Sequence, residues 1–141
     1  MYFDTSVMLS LYVEDAFTPQ ALAFYSSQAQ AATVSDWVDL EGKSALAVLV
    51  RTRRLPLESA RLALNSYEAD RREARYRSIS LTSTDFITAR KALPLEGSLR
   101  AGDALHLGIV LRSGLPLVTS DKRLHEAAMA ADANSTYLPD T

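Results

Sequence analysis

Short apolar runs alternate with longer stretches of helical period along this chain. Met1 to Phe3 is apolar and reads as a first strand, giving way at once to Asp4-Thr5-Ser6. A helix is predicted from about Ser6 to Glu14, with Val7, Met8, Leu11 and Tyr12 inward. Thr18-Pro19 reads as a cap followed by proline at the first helical position, opening a second helix through about Gln28. Leu22 and Tyr25 share its stripe. Ala31 to Val34 is a weak second strand ending at Ser35. Ser35 or Asp36 caps a third helix to about Arg53, whose positions Trp37, Leu40, Ala45, Val48 and Leu49 keep roughly helical spacing. Pro56 begins a fourth helix carrying Leu57, Ala60, Leu64 and Tyr67, and its far end is the charged run Glu68 to Arg77.

Ile79 to Leu81 is predicted as a third strand, and a helix from about Ser83 to Leu93 is stopped by Pro94. Pro94 to Gly97 is the clearest loop. A sixth helix opens near Arg100 and runs to Arg112, with Gly114 as its stop. Pro116 to Val118 is strongly apolar and leads into Thr119-Ser120-Asp121. A seventh helix is predicted over Lys122 to Ala131, then a last strand over Thr136 to Leu138. Short strands alternating with helices predict an α/β sandwich around a mostly parallel sheet.

Composition narrows this picture. The 141 residues fit one domain, 1–141, with room for a hydrophobic core. The absence of cysteine excludes disulfides, thiolate metal sites and cysteine nucleophiles. With two histidines, His106 and His125, a histidine-rich metal site is not expected. No apolar stretch approaches the roughly 20 residues that span a bilayer, and no basic-then-apolar leader opens the chain. The expected location is the cytoplasm. Net charge is −2, but 12 of the 15 basic residues are arginine, so a local phosphate-binding rim is compatible with the near-neutral total.

Four acids occupy telling places: Asp4, Glu41, Asp103 and Asp121. Each stands where an apolar run gives way to a helix, or within a helix beside one. Singly, each has an ordinary explanation. Asp4 and Asp121 suit helix caps, Asp103 suits a first turn, and Glu41 suits a solvated helix face. Jointly they point elsewhere, because strands of an open parallel sheet end side by side and collect residues just past their ends in one crevice. Carboxylates gathered there repel one another unless a cation neutralises them, and Mg²⁺ or Mn²⁺ prefer oxygen ligands.

The surrounding segments are more specific than the acids. Tyr-Phe-Asp-Thr-Ser at the start, Ser35 followed by Glu41, Ala101-Gly-Asp-Ala-Leu-His-Leu-Gly108, and Leu117-Val-Thr-Ser-Asp-Lys-Arg-Leu124 resemble, in order and spacing, the signature of PIN-domain ribonucleases. Chain length and start look most like VapC-type toxins of bacterial toxin–antitoxin pairs. One departure is Gly102, where alanine is more usual; it is expected to be tolerated. The resemblance implies a PIN-like three-layer sandwich and Mg²⁺- or Mn²⁺-dependent endoribonuclease activity. It also implies a homodimer and a protein antitoxin that blocks the site.

On that basis Asp4, Asp103 and Asp121 are candidate metal ligands, and Glu41 is a ligand or an orienting base for water. Thr5, Ser6, Thr119 and Ser120 are candidates to fix those carboxylates by hydrogen bonds, against the alternative of ordinary capping. Arg100 and Lys122 flank site acids and are candidate phosphate contacts.

Other features have blander readings. His106 lies one turn beyond Asp103, but an inward histidine bonded to backbone or sheet is favoured over a metal ligand. His125 is assigned to the surface. Arg71 to Arg77 has a functional reading as phosphate contacts with Tyr76 as a stacking surface, but the favoured one is a solvated helix end with ion pairs such as Glu68–Arg72 and Glu73–Arg77. The cluster Arg51, Arg53 and Arg54 is read likewise as solvated. Trp37, Tyr25 and Phe24 are read as core. Two rival functions remain in view: an RNA- or protein-binding module without catalysis, and a receiver-like signalling domain. The latter wants two adjacent acids after its first strand, where this chain has Asp4 alone.

Overall fold

Strand β1 (Tyr2–Phe3) is two residues long, yet it holds the centre of the sheet. Both of its residues are fully buried, as befits a strand covered on both faces. A computed structural model describes all 141 residues. After β1 come α1 (Thr5–Tyr12), α2 (Thr18–Ser27), β2 (Thr33–Ser35), α3 (Asp36–Arg51), α4 (Leu57–Arg72) and β3 (Arg77–Ile79). The second half comprises α5 (Ser83–Ala92), α6 (Ala101–Ser113), β4 (Leu117–Thr119), α7 (Lys122–Ala130) and β5 (Ser135–Tyr137). The strand order is β3-β2-β1-β4-β5, and every pairing is parallel. The expected three-layer α/β sandwich is therefore the fold, with a sheet that is wholly rather than mostly parallel.

This order positions the site. The chain steps outward from β1 to β2 to β3, then crosses to β4 on the other side of β1 and steps out to β5. The direction of winding reverses between β1 and β4, and a crevice opens beyond the strand ends at such a reversal. Asp4 follows β1 directly, and Asp121 lies two residues past β4.

The core is built from strand residues and inward helix positions: Tyr2, Phe3, Val34, Val38, Leu107, Ile109, Leu117, Val118 and Leu124. Burying each such side chain contributes roughly 1.5–3 kcal/mol. Phe24 and Tyr25 pack on Phe3 with ring centroids 6.1 and 6.4 Å away, and Trp37 packs against the same core. Their core reading stands.

Several boundaries move. β3 is Arg77–Ile79 instead of Ile79–Leu81, because an edge strand pairs on one side and leaves Arg77 and Ser78 exposed. β2, β4 and β5 likewise shift by one or two residues, since backbone pairing continues through polar Ser35, Thr119 and Ser135. α3 stops at Arg51, before a turn in which Arg53 takes φ 59°. The expected pairs Glu68–Arg72 and Glu73–Arg77 do not form. Arg71 instead holds Asp39 with both Nε (3.1 Å) and Nη2 (3.0 Å), and Arg75 pairs with Asp70 and Glu73. Tyr76 is buried and bonds Tyr12 (2.8 Å), so it offers no stacking surface.

Candidate active site

Hydroxyl side chains tie the ends of β1 and β4 together around Asp4. Asp4 caps α1, its Oδ1 accepting from the Val7 N–H (3.1 Å) and from Ser6 Oγ (2.7 Å). Its Oδ2 accepts from Thr119 Oγ1 (2.5 Å). Each hydroxyl also reaches the turn after β4. Thr119 Oγ1 accepts from the Asp121 N–H (2.9 Å), and Ser6 Oγ accepts from the Ser120 N–H (3.0 Å). Asp4 is buried and stands one hydrogen-bond step from Asp121. Burial pushes its carboxyl above the ordinary value, and the bonds from Thr119 and Ser6 offset only part of that.

Asp121 caps α7, with Oδ1 accepting from the N–H groups of Arg123 (2.8 Å) and Leu124 (3.3 Å). Asp103 sits in the first turn of α6, where its Oδ2 accepts from the Arg100 N–H (3.3 Å). Helix-capping positions and candidate site positions thus coincide in the same residues. Burial raises the Asp103 carboxyl, and the negative charges of Asp121 and then Glu41 raise it further. Acids from α3, α6 and α7 therefore lie within electrostatic reach of one another.

Glu41 is held differently. Its Oε1 accepts from Thr5 Oγ1 and from His106 Nε2 (2.7 Å). Burial alone would raise its carboxyl, but the His106 and Thr5 hydrogen bonds bring it below the ordinary range. Its Oε2 lies over Gly102: a Cβ on that glycine would stand 2.6 Å from Oε2 and 3.4 Å from Trp37 Cζ2. Glycine at 102 is thus more than a neutral departure, since it leaves the space that Glu41 occupies.

A cleft of about 390 Å³ is lined by Glu41, Arg100, Gly102, Asp103, Asp121 and Arg123. No apolar side chain faces it. Arg100 is where the sequence placed it. Lys122 does not line the cleft; it is exposed and lies 3.8 Å from Glu126. Arg123, the next residue, takes that position, and a lysine-arginine pair at a helix start gives no sequence signal for choosing between them. Of the four candidate hydroxyls, Thr5, Ser6 and Thr119 contact site carboxylates, whereas the buried Ser120 Oγ has no partner. His106 is inward as expected, but it touches Glu41 as well as the sheet. His125 bonds Ser135 (2.8 Å) and lies against Tyr137.

The donor set suits a hard divalent cation. No group of three acids or histidines is arranged to surround one ion. Mg²⁺ asks for less, since it is bound through one or two carboxylates and keeps several waters. Asp103 and Asp121 line the cleft, and their mutual charge is unrelieved by any ion pair of their own.

The PIN domain family model matches residues 1–129. The fold is similar to that of Mycobacterium tuberculosis VapC20, a sarcin-ricin loop cleaving toxin. The TM-score is 0.69 and the identity 21%, covering 89% of this chain and 93% of that one. It is also similar to PAE2754 from Pyrobaculum aerophilum, with a TM-score of 0.63 and 18% identity, covering 95% of this chain and 81% of that one. No curated protein matches the sequence. At these identities the two structures speak for the fold, while the family match runs through every residue of the cleft from Glu41 to Arg123: the chain belongs to the PIN-domain family.

Proposed function

We propose that the protein is a Mg²⁺- or Mn²⁺-dependent endoribonuclease, the toxin of a toxin–antitoxin pair, acting in the cytoplasm as a homodimer. The observation that carries the reading is the meeting of Asp103, Asp121 and Glu41, from three separate helices, in one wholly polar cleft. Membership of the PIN family and the likeness to a toxin that cleaves the sarcin-ricin loop support it. No helix is long and apolar enough to cross a membrane.

Asp103 and Asp121 would hold the cation, with Asp4, one hydrogen-bond step from Asp121, as the third candidate ligand. The cation supplies charge neutralisation at the scissile phosphate and a more acidic water. Glu41 would orient the attacking water, and Thr5, Ser6 and Thr119 keep the carboxylates aimed. Arg100 and Arg123 flank the acids and hold the RNA phosphate, which would otherwise be repelled from an acidic cleft. The antitoxin acts by covering this cleft.

The test is cleavage of mixed cellular RNA by antitoxin-free protein, with Mg²⁺, Mn²⁺ or chelator, beside Asp4→Asn and Asp103→Asn. Discrete, metal-dependent cuts lost by at least a hundredfold in both variants are expected. Full activity in either variant would remove it from the site, and no cleavage in any arm by folded protein would leave a PIN-fold binding module.

A further inference from the structure

His106 is the one polar side chain in the buried stretch of α6, from Ala104 to Val110. It is 2% exposed. An inward histidine usually bonds the nearest backbone carbonyl; this one bonds only side chains, and they come from three other elements. Its Nδ1 lies 2.7 Å from the Tyr2 hydroxyl on β1, and its Nε2 lies 2.7 Å from Glu41 Oε1 on α3 and 3.3 Å from Thr5 Oγ1 on α1. The Tyr2 hydroxyl continues to Ser35 Oγ (2.9 Å) on β2, and Ser35 Oγ accepts from the Val38 N–H (3.1 Å).

One set of proton positions satisfies every member. The Val38 N–H donates to Ser35, the Ser35 hydroxyl to Tyr2, the Tyr2 hydroxyl to His106 Nδ1, and the His106 Nε2–H to Glu41. The series starts at the first turn of α3 and returns to the same helix at Glu41. Its far end is therefore anchored on backbone and its near end on a cleft-lining carboxylate. A glutamate side chain otherwise has several rotamers open to it, and ordering it is entropically costly. Here Oε1 is fixed from two sides, so Oε2 is set over Gly102, where no Cβ competes for the space.

We infer that His106 is a positioning residue for the proposed cleavage reaction, acting through Glu41, with Tyr2 and Ser35 as its support. The inference rests on the nuclease reading above and adds how one of its acids is aimed.

The experiment is a double-mutant cycle on cleavage: wild type, His106→Leu, Glu41→Gln and the double variant, all shown to be folded by circular dichroism. His106→Leu is expected to lower kcat about tenfold or more with KM for RNA unchanged, as removal of an outer hydrogen-bond partner typically does. In the Glu41→Gln background the same change should cost nothing further, because there is no longer a carboxylate to aim. Mn²⁺ affinity should behave alike, the double variant matching Glu41→Gln alone. His106→Gln, whose amide can donate from the same region, should recover most of the activity. Should His106→Leu fail to fold, Tyr2→Phe keeps the buried ring, removes only the supporting hydroxyl, and should show a smaller loss with the same dependence on Glu41.

Equal losses in both backgrounds would mean that His106 serves the core alone and would overturn the inference. That result is separable from failure of the nuclease reading, in which Glu41→Gln and Asp103→Asn themselves would leave cleavage intact.

Discussion

At the scale of single residues, Asp103 shows how a site is held against its own stability. Burial and the charges of Asp121 and Glu41 hold its carboxyl above the ordinary value. The folded chain thus takes up that proton at a higher pH than the unfolded chain. Ionising the group favours unfolding, fully above the folded value and not at all below the unfolded one. Asp103→Asn should therefore raise the Tm of the metal-free protein at pH 7 by about 2–4 °C, the shift expected for roughly 1 kcal/mol. The gain should vanish near pH 3, and thermal scans at the two pH values check both statements. The acid positions were legible in the sequence because caps, strand ends and site residues fall on the same letters. The contacts of His106 were not, since Tyr2 and Glu41 lie 104 and 65 residues from it and only the fold brings them together. Arg123 escaped notice for a local reason: which of two adjacent basic side chains turns toward the cleft depends on the phase of α7.

At the scale of elements, α5 and α6 make the most extensive helix contact in the molecule. A Cβ on Gly108 would stand 2.6 Å from the Asp85 carbonyl oxygen, so only glycine admits that approach. The fully buried Asp85 is matched by Arg112, which donates through Nε (2.5 Å) and Nη2 (3.0 Å) and also reaches the Ser80 carbonyl (2.9 Å). Burial would raise the Asp85 carboxyl, but Arg112 brings it below its usual value. Here the sign is the reverse of that at Asp103: the pair stabilises at neutral pH, and its contribution falls away as acid protonates Asp85. Asp85→Asn should cost about 2 kcal/mol at pH 7, as expected for hydrogen bonds to a charged group, read as a lower urea midpoint with unchanged slope. Most helices were legible from period and caps. The charged end of α4 was misread in detail, because pairs along one helix were considered and Arg71 instead reaches across to Asp39 on α3.

For the whole molecule, the alternation of strands and helices was enough to foresee a parallel α/β sandwich, whereas the strand order came only with the structure. That order decides which basic residues matter. Arg100 and Arg123 border the cleft, Arg71 is occupied by Asp39, and Arg51, Arg53 and Arg54 stand exposed at the α3–α4 tip. In the Asp103→Asn background, where RNA binds without being cut, Arg100→Ala should reduce the slope of log affinity against log salt by about 0.7. Arg71→Ala should leave it unchanged, and titrations at three salt concentrations distinguish the two. The topology also dates the appearance of the cleft during synthesis. Asp4 is made 115 residues before the Thr119 hydroxyl that fixes it, and Asp121 comes later still. A ribosome holding the partial chain holds β1 without β4, and so a carboxylate with neither its hydroxyl partner nor its fellow acids. The cleft is thus incomplete on the nascent chain, and its carboxylates come together only once β4 and the start of α7 have been made.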